Sequence, residues 1–318
     1  MRFRDFLNES NCKPKQLRRL SITESDYTVQ PKKTYELARI IKDHCEENGW
    51  DSDLNFIDTS LITNMSFLFA DSENVGYDLD KFNGDISQWD VSNVKDMEGM
   101  FKGAKNFNQP LNKWDVSNVK DMRCMFYGAK NFNQPLNNWD VSNVKDMEGM
   151  FTDAKSFNQP LNNWDVSNVE IIEGMFNRAE NFNQPLNNWD VSKVESMAYV
   201  FNGAYSFNQP LDKWDVSNVR DMSYMFHGAK NFNQPLNNWD VSNVRIMEGM
   251  FFEAKSFNHP LNNWDVSKVK TMEDMFHYAE NFNQPLDKWD VSIVRDMIYM
   301  FDDTKLERTG NLPKWYNE

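Results

Sequence analysis

Cysteine is scarce in this chain. Cys12, Cys45 and Cys124 are the only three among 318 residues, too few and too scattered for a disulfide framework. Long apolar runs are missing too: no stretch approaches the ~20 residues a membrane span needs, so no membrane insertion is expected. The opening residues Met1–Ser10 lack the apolar core of a Sec-type signal. Positive charge is in deficit, with 34 Lys and Arg against 48 Asp and Glu and a net charge of −14. That balance argues against nucleic acid, which wants a basic stripe, and against an anionic membrane surface. The four histidines, His44, His227, His259 and His277, are isolated, and none recurs with the serines. There is no phosphate loop, zinc spacing or nucleophile elbow. The expectation is a protein without cofactor, without metal site and without enzymatic activity.

What is abundant is repetition. The stretch Phe107-Asn108-Gln109-Pro110-Leu111-Asn112-Lys113-Trp114-Asp115-Val116-Ser117-Asn118-Val119-Lys120-Asp121-Met122 returns almost letter for letter. Its tryptophans stand at 89, 114, 139, 164, 189, 214, 239, 264 and 289, a constant step of 25. A fixed period of this size is the signature of a repeat array that grows by stacking.

The coil beginning at Trp114 reads as follows. Trp114 and Val116 alternate with Asp115 and Ser117, the period of a very short strand, with Trp and Val inward. Asn118 with Asp121 three residues later reads as a helix cap. Val119, Met122, Met125, Phe126 and Ala129 then form a helical apolar stripe, and Gly128 and Pro135 end it. The fold class expected is an α/β solenoid with one short parallel strand and one helix per repeat. The tryptophans would lie over one another as a ladder. The methionines (Met97, Met100, Met122, Met125 and their equivalents) would be core filler. A second unbroken column, Asn83, Asn108, Asn133, Asn158, Asn183, Asn208, Asn233, Asn258 and Asn283, carries donors and acceptors suited to bonding along the stack and to turn backbone.

The ends differ from the middle. Residues 1–52 form an N-terminal region. Phe3, Phe6 and Leu7 suggest a helical edge, and Tyr27–Gln30 a short strand. A helix is expected from Lys33 to about Asn48, with Leu37, Ile40, Ile41, His44 and Cys45 on one face and Gly49 as its stop; it would serve as a lid on the first coil. Residues 53–303 are the repeat region, one degenerate and nine regular copies. The worn copy starts at Ile57 and lies 32 residues from the next, with the surplus in Asp71–Lys81. Phe301 closes the last helix, and residues 304–318 cap the C-terminal end, where Leu312-Pro313-Lys314-Trp315 echoes the repeat.

These residues resemble the BspA-like leucine-rich-repeat surface proteins, in their 25-residue variant Phe-Asn-Gln-Pro-Leu-Asn-x-Trp-Asp-Val-Ser-x-Val-x-x-Met-x-x-Met-Phe-x-x-Ala. The likeness runs from about Ile57 to Phe301. Leu111-x-x-Trp114-x-Val116 corresponds to the strand of a leucine-rich repeat, and Met125-Phe126-x-x-Ala129 to its helical part. The resemblance implies a right-handed leucine-rich-repeat-like solenoid, a role in surface display, adhesion or protein binding, and a location at the cell surface or in the secreted fraction.

Two candidate binding features stand out. Asp90, Asp115, Asp140, Asp165, Asp190, Asp215, Asp240, Asp265 and Asp290 form an outward column. Two carboxylates ~5 Å apart repel by ~1 kcal/mol in water and ~3 kcal/mol at an effective dielectric near 20, so nine need compensation. Hydrogen bonds to backbone, Ser or Asn of the next coil are one reading, an acidic strip for a basic partner a second, and bound divalent cations a third. The other feature is a set of outward tyrosines, Tyr199, Tyr205 and Tyr224, with His227 nearby, of the kind found at interfaces. The function expected is a non-enzymatic binding scaffold, presenting a long repetitive face to a protein or surface polymer and itself a monomer. The alternative is a structural spacer or particle component assembling through its end caps.

Overall fold

The computed structural model describes residues 29–71 and 77–316. The helical edge expected at Phe3–Leu7, residues 27 and 28 of the expected strand, and residues 72–76 of the surplus loop lie outside these.

Twenty-five-residue coils lie one upon another, but the expected strand and helix are not there. Among the described residues the helices are α1 (Thr34–Asn48), α2 (Lys305–Arg308) and a 3-10 turn at Lys314–Tyr316, all outside the regular coils. In place of strands, the coils are joined among the described residues by isolated parallel bridges, such as Asp96 with Asp121 and Asp121 with Asp146. The α/β reading with a strand and a helix in each repeat is therefore wrong, and Phe301 closes no helix.

Each coil is a chain of tight turns. In the one around Trp114, N–H groups reach back three residues at Trp114 to Leu111, Val119 to Val116, Met125 to Met122, Tyr127 to Cys124, Ala129 to Phe126 and Phe132 to Ala129. Alternate N–H groups point along the stack instead. Met122 donates to Asp146 O, Cys124 to Glu148 O, Phe126 to Met150 O and Gly128 to Thr152 O, at 2.7–3.0 Å. A helix sends every N–H to the fourth residue back; here they go to local turns, to the next coil and, at Lys120 and Asn131, to Lys95 O and Lys105 O of the preceding coil.

The sequence pattern mimics a helix for a physical reason. Val119, Met122 and Met125 are three apart, as are Phe126, Ala129 and Phe132. A turn with an i to i+3 bond brings its first and last residues to the same side, so an apolar period of three buries turn corners. All six side chains are fully buried. Two of the turns in each coil, here Met122–Met125 and Phe126–Ala129, carry a positive φ at their third residue, as a type II turn does. Two positions per coil supply it: Cys124 (φ 51°) and Gly128 (φ 68°) in this one, Gly149 (58°) and Asp153 (55°) in the next.

The core columns are as expected in burial. Trp89 through Trp289 are only 3–4% exposed, and the methionine, leucine and phenylalanine columns are sealed up to the last coil, where Met297 is partly buried. Trp89 and Trp114 stack at 6.5 Å with planes 2° apart, and Trp114 on Trp139 repeats this at 6.5 Å. Each indole N–H also donates to a carbonyl of the preceding coil, as Trp114 to Ile86 O (3.0 Å) and Trp139 to Leu111 O (2.9 Å). The asparagine column bonds to turn backbone: Asn83 Oδ1 accepts Asn108 N–H at 2.9 Å, and Gln109 Nε2 donates to Asn83 O at 2.9 Å. Asn118 is no helix cap; its Nδ2 donates to Ser92 O at 2.8 Å.

The helix expected over Lys33–Asn48 is present as α1, stopped at Gly49 with φ 98°. It buries Leu37, Ala38, Ile41 and Cys45 against the first coil, and Thr34 Oγ1 donates to Asn64 O. Val29 makes a single parallel bridge with Ile57. At the other end Trp315 stacks on Trp289 at 6.3 Å and donates to Leu286 O, continuing the ladder by one partial coil.

Candidate functional site: the outward columns

An interior this uniform leaves individuality to side chains that point away from it. The aspartate column is exposed throughout. Each Oδ1 accepts the N–H of the serine two residues on, at 2.9 Å for Ser92 and 3.0 Å for Ser117, Ser142, Ser167, Ser192, Ser217, Ser242, Ser267 and Ser292. The partner is the serine of its own coil, an Asx turn, rather than a group of the next coil. The serine hydroxyl and N–H hold the carboxyls of Asp115, Asp190, Asp265 and Asp290 below their ordinary range. These aspartates therefore shape the turn after each tryptophan.

A second column went unnoticed in the sequence: Lys95, Lys120, Lys145, Glu170, Glu195, Arg220, Arg245, Lys270 and Arg295. It is cationic except for two adjacent glutamates. Glu170 pairs with Lys145 at 3.0 Å and Glu195 with Arg220, each drawn away from the other. The backbone parts at the same place. Glu170 N–H bonds Lys145 O and Arg220 N–H bonds Glu195 O, but among the described residues Glu195 N–H makes no such bond to Glu170 O. The run of bridges likewise skips from Asp146–Ile171 to Ser196–Asp221. The opening is a cleft of about 780 Å³ lined by Glu148, Glu170, Glu173, Lys193 and Glu195 among others. Two like charges at adjacent positions of the period were the readable signal.

Beside it lies an acidic cluster closed by the chain's own cation. Ligand atoms of Asp96, Glu98 and Asp121 lie within 4.8 Å of one another. The Arg123 guanidinium sits among them, 3.0 Å from Glu98, 3.0 Å from Asp121 and 3.5 Å from Asp146. Burial raises the carboxyls of Asp96, Glu98 and Asp146, the last to about 6.

The tyrosines grouped in the sequence belong to a longer ridge. Tyr199 and Tyr224 stack at 5.1 Å. Tyr224 meets His227 at 5.8 Å, His227 meets Phe252 edge-on at 4.7 Å, and Phe252 meets His277 at 5.0 Å. His277 stacks on Tyr278 at 4.1 Å and reaches Tyr299 at 5.8 Å. The rings thus run unbroken over five coils. Tyr199 and Tyr278 are each 40% exposed and Tyr299 55%. Tyr205, 40% exposed, carries Lys230 Nζ 4.7 Å over its ring. Carboxylates flank the ridge: the Tyr224 hydroxyl donates to Glu248, and Asp274 lies 2.7 Å from His277 Nδ1. Burial, foremost, with the Glu248 hydrogen bond pushes the Tyr224 phenol up, and burial lowers the His227 imidazole.

Tyr199, Tyr224 and Tyr299 sit at the first positive-φ position of their coils and Tyr278 at the second, with φ of 54–61°. Glycine takes the first position at 99, 149, 174 and 249. The Tyr224 ring lies over Gly249, where an added Cβ would come within 2.4 Å of it. A tyrosine in one coil thus rests on a glycine in the next. Of the residues grouped in the sequence, Tyr199, Tyr224 and His227 are in ring contact while Tyr205 lies under Lys230; Phe252, His277, Tyr278 and Tyr299 were not in that group, because their adjacency needs the turn geometry.

Stacked, near-identical coils with variation confined to outward columns define a tandem-repeat protein. The chain belongs to the family described as "Mycoplasma protein of unknown function, DUF285", which matches residues 38–163, 111–213, 133–234 and 206–315 in overlapping segments. Comparison with curated proteins returns no match. No helix among the described residues is long and apolar enough to cross a membrane.

Proposed function

We propose that this protein is a non-enzymatic binding scaffold that holds a protein partner along the aromatic ridge. The observation that carries the reading is the ridge itself: seven rings in line across five coils, partly exposed, on a stack whose other columns repeat. Exposed tyrosines supply contact area at low entropic cost and are enriched at interfaces. A functional family description gives no activity to set against this, and the repeat's likeness to BspA-like surface proteins supports adhesion or display at a cell surface. The nine column aspartates, Asp90 through Asp290, serve the turn geometry first and lend the face its acidity second.

The test is capture by the full chain, compared with the Tyr199→Ser/Tyr224→Ser double variant. Partners retained equally by both would overturn the ridge as the binding face.

A second reading, assembly through the ends, is favoured by one observation. In the last coil Ile293, Ile298 and Tyr299 are 47–55% exposed, and Val291, Val294 and Met297 are only partly buried where their counterparts are sealed. Light scattering after size exclusion separates the two: a monomer supports the scaffold, a defined oligomer the assembly.

A further inference from the structure

The ridge has a charge as well as a shape. Glu248 accepts from Tyr224, Asp274 faces His277, and Asp221 and Glu253 act on Tyr199 and His227, with Arg178 the one cation set against them, at His227. Elsewhere on the same side of the coils, exposed tyrosines are covered by the chain's own cations: Lys230 lies 4.7 Å over Tyr205 and Lys102 5.4 Å over Tyr127. Among the described residues no Lys or Arg lies over Tyr199, Tyr224, Tyr278 or Tyr299. Aromatic faces bordered by carboxylates attract a cation twice, through the ring quadrupole and through Coulomb attraction. Of the two cationic side chains, the planar guanidinium both stacks on a ring and forks onto a carboxylate. The chain's net charge of −14 favours approach of a basic partner over the whole surface.

From this juxtaposition we infer that the ridge from Tyr199 to Tyr299 is a docking strip for an arginine-bearing, extended segment of a partner protein. The inference rests on the scaffold reading and narrows it to one chemistry. Guanidinium groups stack on the exposed tyrosine faces while Glu248 and Asp274 take their N–H groups. Side chains on one face of an extended segment recur every ~6.6–6.8 Å, so such a segment laid along the ridge passes over several of its rings, whose neighbouring centroids lie 4.1–5.8 Å apart.

The experiment uses the full chain and a labelled twelve-residue peptide alternating Arg and Ser, read by fluorescence anisotropy. Its counterpart with Gln for every Arg serves as control. Expected is saturable binding of the Arg peptide, at least tenfold weaker for the Gln peptide. The Tyr224→Ser/Tyr278→Ser double variant should weaken the Arg peptide at least tenfold, whereas Tyr224→Phe/Tyr278→Phe, which keeps the rings, should retain it. Tyr127→Ser, on the same side but outside the ridge, should change nothing. Absence of binding overturns the inference. So does binding that the Tyr→Ser variant leaves intact, because it would reflect diffuse acidity alone. A parallel selection of random displayed peptides, counter-selected on the Tyr→Ser variant, separates this failure from that of the scaffold reading. Peptides that need the tyrosines but carry no Arg sink the arginine claim and spare the scaffold. A selection in which no peptide needs the tyrosines sinks both.

Discussion

The left-handed positions decide most of what a single residue does here. Gly249 combines a φ of 54° with the Tyr224 ring over its Cα. A methyl group there meets both a strained backbone and a ring that has to swing away. Replacement by Ala is expected to destabilise by ~1–3 kcal/mol, read from denaturant midpoints, and to expose Tyr224. Gly→Ala at the same column in Gly174, where a Cβ finds only ordinary contacts at 3.7–3.8 Å, should cost less. Equal losses at the two sites would mean that the ring does not rest on Gly249.

Arg123 gives a residue-scale prediction with a definite pH sign. Asp96, Glu98 and Asp146 have raised folded-state pKa values, Asp146 to about 6. Groups that bind protons more tightly when folded add stability that is complete below the ordinary carboxylate range of ~4 and is lost as pH rises through the folded value. At pH 7 the cluster is charged and depends on the guanidinium. Exposed pairs are worth up to ~1 kcal/mol and breaking buried ones costs ~3–5 kcal/mol. With Arg123 about one-third exposed, Arg123→Ala is expected to cost ~1–2 kcal/mol at pH 7 and distinctly less near pH 4.5. A loss independent of pH would contradict the assignment.

At the scale of the coil, the sequence showed the register and the inward and outward faces, because burial and period are written directly in Trp, Val, Met and Phe. It did not show the backbone. Val119, Met122, Met125, Phe126 and Ala129 fit a helix stripe and a string of turn corners equally well. The discriminating signal was present: glycine recurs at 99, 149, 174 and 249, in the middle of the supposed helix, where it costs ~1 kcal/mol relative to Ala. The ridge was half legible for the same reason, since Tyr199 and Tyr224 share a column while Phe252 and Tyr278 join it only through the turns. The junction between Glu170 and Glu195 tests how coils adhere. Glu195 N–H is expected to exchange with solvent faster than Lys120, Lys145 or Arg220 N–H, which are bonded at 2.8–2.9 Å. Glu195→Gln removes the repulsion from Glu170 and still offers Arg220 an acceptor oxygen, so it should slow that exchange. Unchanged exchange would mean that charge does not hold the cleft open.

At the scale of the whole molecule, no coil has a core of its own. Its carbonyls, indoles and asparagines are satisfied by neighbours, as nearest-neighbour stacking requires. Stability, the continuity of the ridge and the spacing of any binding face therefore all derive from one backbone pattern, in which N–H groups such as those of Met122, Cys124, Phe126 and Gly128 cross to the next coil. Scalar coupling through the hydrogen bond at Phe126 N–H measures that pattern directly. A correlation to the Met150 carbonyl, 2.9 Å away, is predicted; a correlation to the Met122 carbonyl, the partner a helix would supply, would contradict the account.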